Sequence, residues 1–404
     1  PRGAQERTSR APLAWQPVVA GDHSAGTARR PGPPGHRAPQ RRVWHTAPGD
    51  REPPSFPVAA ERPQAHPSPR AVPRRRRTGK MASSTGSTAS TAAGWLVRLF
   101  VLAMAARAAY YIRMYAIDGF GRVIHEFDPW FNFRATQYLA DNGWDEFFSW
   151  FDHMSWYPLG RPVGTTIYPG MQITSVAIWK ALEAVGYVDP TTGEAMTLND
   201  VCVFVPVWFG VMATLFLALL AYECTNNATA SVTAAAIFAI IPAHIMRSVG
   251  GGYDNESVAM TAMMSTFWLW ARSLRSQSSW WIGALAGVAY FNMVAAWGGY
   301  VFVLNMVAAH AAGLVLLGYH TTNLHRAYSL FYIVGTALAI QVPVVGLTPL
   351  KSLEQLGAFA VFGLIQLMEV VSVLKRRWKL SEEDVPALRI KVFGAAAAAA
   401  ACVV

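Results

Sequence analysis

Apolar positions along this chain gather into eight long runs, at about 95–116, 201–222, 229–246, 257–271, 280–297, 300–318, 328–347 and 356–374. Most approach the roughly 20 residues that a helix needs to cross about 30 Å of hydrocarbon. The runs at 257–271 and 280–297 are shorter. The pattern predicts an all-α polytopic membrane protein. The first run, from Leu96, is a retained span rather than a cleaved leader, because no small-residue cleavage site follows and the chain continues through RAAYYIRMYAI into polar sequence. Between the first two runs lies a polar segment, 117–199, with helix signals of its own. Asp128 is placed as an N-cap with Pro129 at the first helical position, and Asn142-Gly143 marks a stop. A second helix is expected from Pro169 to about Gly186. The aromatic, Pro- and Gly-rich stretch WFDHMSWYPLGRPVG between them suits a shaped loop at the headgroup level. The loop should therefore be folded, with Trp130, Phe131, Phe133, Tyr138 and Leu139 as its apolar surface.

Charge changes this picture only after the chain is divided. The formal net charge of +10 would suggest nucleic acid or an anionic surface. Residues 1–80, however, hold 16 of the 34 Lys+Arg and 5 of the 24 Asp+Glu, so the other 324 residues balance to −1. No nucleic-acid partner is implied. The same 80 residues carry 15 of the 25 prolines and no methionine. They cannot bury enough apolar surface to offset their ordering entropy and are expected to be disordered. Met81 is the first methionine, so 1–80 reads as translated upstream sequence ahead of a cytosolic leader, 81–94, with a basic tail as the other reading.

Basic residues flanking short loops set orientation. Arg74 to Lys80 precede the first run, Arg272 and Arg275 follow the fourth, His320 to Arg326 separate the sixth and seventh, and KRRWK at 375–379 follows the eighth. With eight spans across 95–374 and a cytosolic tail at 375–404, all of these fall on the cytoplasmic face. The acidic 117–199 loop and the turn GGGYDNE then lie on the opposite face. Three cysteines, Cys202, Cys224 and Cys402, give no disulfide framework to corroborate the compartment.

Within GGGYDNESV, Asp254 and Glu256 stand two residues apart. On a helix they would face nearly opposite ways, about 200° apart; in extended or turn backbone they point to one side. Gly250 to Gly252 argue for a non-helical turn, where two carboxylates can clasp a divalent cation. Glu126 and Asp128, in EFD, repeat the spacing in the first loop. Acid-x-acid is a weak pattern, and both pairs read equally well as solvated charges and helix caps. Asn255-Glu256-Ser257 and Asn227-Ala228-Thr229 also spell glycosylation sequons.

Four longer stretches, HEFDPWFNFRATQYL, WFDHMSWYPLGRPVG, RSVGGGYDNESVA and YFNMVAAWGGYVFVLN, resemble the catalytic subunit of eukaryotic oligosaccharyltransferase, in family order from about Trp95 to Val373. The resemblance implies a C-type glycosyltransferase (GT-C) transmembrane bundle with a long folded first lumenal loop, in the endoplasmic reticulum membrane with a lumenal active site. It implies transfer of a preassembled glycan from dolichyl pyrophosphate to the asparagine of Asn-X-Ser/Thr in an acceptor polypeptide, in the company of other oligosaccharyltransferase subunits and membrane lipid. It also implies one Mn2+ or Mg2+ ion held by Asp128, Asp254 and Glu256. Arg247 matches a basic residue beside the active site, where the other reading is a snorkelling arginine. Glu126 joins Asp128 and Arg247 as a candidate catalytic group.

The family's Ser-Val-Ser-Glu and Trp-Trp-Asp-Tyr-Gly motifs are missing from this sequence, and after RIKVFGAAAAAAACVV the family would continue with further spans and a lumenal domain. The chain therefore reads as an N-terminal fragment, expected to be inactive alone. Another polyprenyl-sugar enzyme, such as a protein O-mannosyltransferase, would not be expected to show DPWFNFRATQYL or WGGYVF. A transporter would need ionisable residues deep in its spans, and apart from Arg107 the spans offer few.

Overall fold

The computed structural model describes residues 85–403; the basic segment 1–80 and its expected disorder lie outside them. The first apolar run lies in α1 (Thr85–Phe120) and the second in α4 (Leu198–Thr225). Thr197 and Asp200 form a reciprocal capping box at the start of α4, and Asn226 ends it in the left-handed region. The third run is broken into α5 (Ala228–Ile240) and α6 (Pro242–Ile245), because Pro242 disfavours helical backbone at Ile241, which is extended. Asn227, in the second sequon, caps α5 by accepting from the Thr229 and Ala230 amides. The remaining runs form α7 (Asn255–Ser273), α8 (Ile282–Ala296), α9 (Tyr300–Leu316), α10 (Thr322–Ala339) and, after the short α11 (Thr348–Lys351), α12 (Leu353–Trp378). Helix α13 (Val385–Val403) follows.

Among the described helices, three are long and apolar enough to cross a membrane by length and composition: residues 92–120 of α1, together with α4 and α12. Helices α5, α8 and α9 are apolar but have only 13, 15 and 17 residues. At 1.5 Å per residue the shortest covers about 20 Å. The Pro242 break shortens α5, while α7 and α10, with 19 and 18 residues, are long enough but carry polar residues such as Asn255, Glu256, Arg272, Asn323, His325 and Arg326 that lower their hydropathy.

Helix α4 packs against α1, α5 and α7, α7 packs against α8, and α8 against α10; α12 lies against α9 and α10. The α8–α10 seam is made by small residues. A Cβ at Gly283 would meet the Ala327 carbonyl at 2.3 Å, and one at Gly287 would meet the Phe331 carbonyl at 2.9 Å. Backbone-to-backbone contact of this kind is how helices gain dispersion energy where apolar surroundings remove the hydrophobic drive.

The 117–199 segment is folded, as its helix signals predict. Helices α2 (Phe127–Ser149) and α3 (Gly170–Ala184) pack together and onto α4, with α3 also touching α8. Gly143 is non-helical, so the expected stop at Asn142-Gly143 is a kink within α2. Ala135, Leu139, Phe147, Val163, Ile167 and Val176 form a separate small core. Between the helices, β1 (Phe151–Asp152) pairs antiparallel with β2 (Arg161–Pro162).

Asp152 anchors this loop. Its side chain is 3% exposed and takes Arg134 Nε and Nη2 at 2.8 and 2.9 Å, the Met154 amide at 3.0 Å and Ser155 Oγ at 2.8 Å. The Arg134 hydrogen bond, above all, holds its pKa down to about 2. A carboxylate so depressed contributes stability above its unfolded value of about 3.9, about 2 kcal/mol here, which is lost as pH falls through about 2. Tryptophan fluorescence followed from pH 5 downward should show the loop opening between about pH 4 and 2. Asp152→Asn should disturb it already at pH 5; an unchanged acid profile in that variant would refute the anchor.

Candidate functional site

The turn that carries the acid pair is locked from three sides. The Gly250 amide donates to the Arg113 carbonyl of α1 at 2.9 Å, and the Gly251 amide donates to the Val203 carbonyl of α4 at 3.0 Å. The His125 amide donates to the Gly251 carbonyl at 3.2 Å, and His125 Nε2 donates to the Gly250 carbonyl at 3.0 Å. Gly251 lies at φ +82, and a Cβ there would meet the Val123 carbonyl at 2.3 Å. Glycine is required by close packing as much as by conformation.

From this turn α7 starts. Asp254 is its N-cap, in extended backbone, and accepts from the Asn255 amide at 2.8 Å; Glu256 lies in the first helical turn. The sequence expectation that the two acids meet only outside a helix is therefore corrected: half of the pair is helical, and the cap residue's extended backbone lets them meet. Burial, followed by hydrogen bonding and charge from Asp254, raises the Glu256 carboxyl above the ordinary range. Arg247 approaches from the other side, its Nη1 3.8 Å from Glu256 Oε1. Arg247 is thus a partner of the pair, with its side chain 53% exposed.

Helix α2 reaches the same place through residues that the sequence did not single out. Asn132 Nδ2 donates to the Tyr253 carbonyl at 3.2 Å and to Asp254 Oδ1 at 3.3 Å, while its Oδ1 accepts from Gln172 of α3 at 3.2 Å. Fully buried Tyr253 bonds Thr136 of α2 at 2.9 Å and Ser175 of α3 at 2.7 Å. The available signal was a polar residue, Asn132, amid the apolar WFNFR.

Asp128 lies one turn N-terminal to Asn132, exposed, and lines a cavity of about 780 Å³ with Arg134 and Arg161. The cap is Glu126 and not Asp128, because the helix begins at Phe127. Glu126 has φ +69, is 74% exposed and makes a long 3.9 Å contact with His125. The structure brings Asp254, Glu256 and Arg247 together and ties them to α2; it leaves Glu126 and Asp128 outside that group. Among the described residues, no three His, Cys, Asp or Glu side chains stand close enough to form a metal cluster. The Asn255 sequon is spent in the helix start: Asn255 Oδ1 is buried without a partner, and Ser257 Oγ donates to the Asp254 carbonyl at 2.8 Å.

A second feature missed in the sequence is Arg113. It is fully buried, in a span where only Arg107 drew notice. Arg107 is exposed and stacks over Tyr111 at 4.8 Å. Arg113 instead bonds Ser248 Oγ at 2.8 Å, His244 Nδ1 at 2.8 Å, and the carbonyls of Ala109 and Ala239 at 2.9 and 3.2 Å. An arginine only donates, so His244 accepts through Nδ1 and carries its proton on Nε2. Arg113 thereby holds the segment that leads into Arg247 and the glycine turn.

This helical bundle, with its acid pair at the cap of one helix and a folded segment bearing further acids packed on it, has the GT-C fold that the sequence resemblance implies. The same fold occurs in the crystal structure of the Archaeoglobus fulgidus oligosaccharyltransferase in the apo form, with a TM-score of 0.56 at 21% identity over 73% of this chain and 36% of that one. Residues 96–395 match the family described as oligosaccharyl transferase STT3, N-terminal, and the chain belongs to that family.

The chain is 41% identical over 279 residues to the dolichyl-diphosphooligosaccharide–protein glycosyltransferase subunit stt3 of Schizosaccharomyces pombe, over 69% of this chain and 36% of that protein. It is 39% identical over 300 residues to subunit stt-3 of Caenorhabditis elegans, over 74% of this chain and 38% of that protein. It thus spans little more than a third of the length of these relatives.

Proposed function

We infer that this chain supplies the metal-facing part of the active site of an oligosaccharyltransferase of the endoplasmic reticulum membrane, with the site facing the lumen. The reaction is transfer of a preassembled oligosaccharide from dolichyl pyrophosphate to the asparagine of Asn-X-Ser/Thr. The observation that carries this reading is the Asp254–Glu256 pair, flanked by Arg247 and tied to α2 through Asn132. The fold is shared with an archaeal oligosaccharyltransferase in complex with an inhibitory peptide and a dolichol-phosphate, at a TM-score of 0.52. It is also shared with one tethered to an acceptor peptide containing an NVT sequon, at 0.54.

An asparagine amide nitrogen is a poor nucleophile because its lone pair is delocalised. A carboxylate accepting its N–H groups localises the pair, and exposed Asp128 is the group for this role, with Glu126 at the rim. Arg247 holds the Glu256 carboxylate in place and orients the acceptor. Attack inverts the anomeric carbon and expels the lipid pyrophosphate, so no enzyme nucleophile is needed. The two adjacent carboxylates fit a hard divalent cation in donor type, and burial, with Asp254 beside it, raises Glu256, a cost to its charged form that such an ion would relieve. Asp254 and Glu256 would hold Mn2+ or Mg2+, which would supply Lewis-acid neutralisation of the departing phosphate charge, and Asp128, outside their group, is left for the acceptor amide. The neighbour structure in complex with Zn and sulfate supports metal use on this fold. Other oligosaccharyltransferase subunits and membrane lipid complete the assembly.

The test is transfer of a lipid-linked saccharide to a fluorescent sequon peptide by the full-length protein in its complex. Transfer should occur, stop on chelation and return with Mn2+ or Mg2+. No transfer to a sequon, or transfer indifferent to chelation, would reject the reading or its metal respectively.

A further inference from the structure

The cavity that Asp128 shares with the 154–161 loop is built from two kinds of surface. Along α2, Asp128, Phe131, Arg134 and Gln137 all line it, winding about half a turn round the helix over about 14 Å. Opposite them, Arg161 lies between aromatic rings, its guanidinium 5.3 Å from the Phe131 centroid and 4.9 Å from that of Trp156. Its Nε and Nη2 are fixed on Thr166 Oγ1 and the Thr166 carbonyl, at 2.9 and 3.0 Å. Trp156 is 70% exposed, and its backbone at φ +55 belongs to a loop pinned by the Asp152 anchor. This aromatic face is both open and held.

The charges at the cavity decide what it suits. Among the described residues that line it, Arg134 is spent on Asp152, while Arg161 and Asp128 form no ion pair. A wall with one charge of each sign, an exposed amide at Gln137 and an aromatic face discriminates against an anionic headgroup or an acidic peptide. It matches a neutral, hydroxyl-rich ring, whose axial C–H groups form an apolar face for stacking while its hydroxyls take planar hydrogen-bonding side chains at the rim.

We propose that this cavity is a saccharide subsite, binding pyranose rings of the donor oligosaccharide next to the point of transfer at Asp128. The assignment of the rings to the donor rests on the glycosyl-transfer reading; saccharide binding itself does not. Trp156 supplies the stacking face, Arg161 and Gln137 the hydrogen bonds, and the length of α2 the direction in which the chain of rings runs.

The experiment uses the full-length protein in lipid nanodiscs, with cellobiose and N,N′-diacetylchitobiose as probes in saturation-transfer NMR. Saturable binding is expected, weakened about tenfold in Trp156→Ala, the loss of one stacked ring. Gln137→Ala should weaken it as well, and Leu159→Ala, exposed but outside the cavity, should leave it unchanged. In the transfer assay, Trp156→Ala should raise KM for the lipid-linked donor and not for the sequon peptide.

No saturable binding by the wild type, or equal binding by all variants, overturns the subsite. A rise in peptide KM instead of donor KM, or competition through Trp156 by a glycopeptide but not by the lipid-linked donor, overturns the donor assignment. If the wild type binds the disaccharides through Trp156 yet transfers nothing to a sequon, the functional reading fails while the subsite stands.

Discussion

Asp254→Asn in the full-length protein is expected to lower glycan transfer by between about 10² and 10³, the range for losing a group that stabilises developing charge, while leaving the fold intact. The separation of the two effects comes from the local structure. Asp254 does two things at once: it caps α7 through the Asn255 amide, and it forms the acid pair with Glu256. Asparagine is as good an N-cap as aspartate, and its Oδ1 can still accept from Asn132. Only the charge is removed. Asp254→Ala removes the cap as well and should cost a further ~1 kcal/mol of stability. The checks are the transfer rate at saturating donor and peptide and thermal unfolding in the same detergent. An Asp254→Asn protein that keeps its unfolding temperature and transfers within about threefold of wild type would show that the pair is a helix start and nothing more.

Arg113→Met is expected to destabilise the bundle by about 2–4 kcal/mol, although it removes a buried charge that has no carboxylate partner among the described residues. Methionine fills much of the same volume but donates nothing. His244 Nδ1 and the Ala239 carbonyl lose their donor in a place that water does not reach, at about 1–3 kcal/mol each. Relief of the desolvated charge offsets part of this. The loss should lower the unfolding temperature by roughly 10 °C, on the scale of a few degrees per kcal/mol for a domain of this size. Arg113→Lys should fall between the two, since one ammonium cannot reach Ser248, His244 and two carbonyls together. An unfolding temperature for Arg113→Met equal to wild type would mean that the network is geometric coincidence.

Which features were legible in the sequence follows from the range over which each is determined. The helix at Pro169 to about Gly186 is seen at Gly170–Ala184, because its signals are local. The α2 cap moved by two residues, from Asp128 to Glu126, against local propensity: aspartate is the better cap, and Glu126 makes no side-chain cap hydrogen bond. The acid pair was legible as a pair, but its geometry was not, since a cap residue is extended while the next residues are helical. Asn132, Tyr253 and Arg113 were overlooked for a common reason: their partners are 121, 117 and 135 residues away. No periodicity in a window of twenty residues reports a hydrogen bond of that reach. The 229–246 and 328–347 runs show the converse, where hydropathy reads through Pro242 and Pro343 while the backbone does not.

The same long reach has a consequence for how the protein is made. Arg113 enters the bilayer on α1, where an unpaired arginine costs up to about 2.5–3.5 kcal/mol. Ser248, the farthest partner of its guanidinium, is synthesised 135 residues later, which at about 5–20 residues per second is a wait of roughly seven to thirty seconds. During that interval α1 cannot rest stably among acyl chains at its final depth and must be sheltered by the insertion machinery or sit displaced toward the headgroups. Helix α1 therefore docks late, after α5 and α6 arrive with the groups that accept its charge, and the glycine turn closes onto it only then.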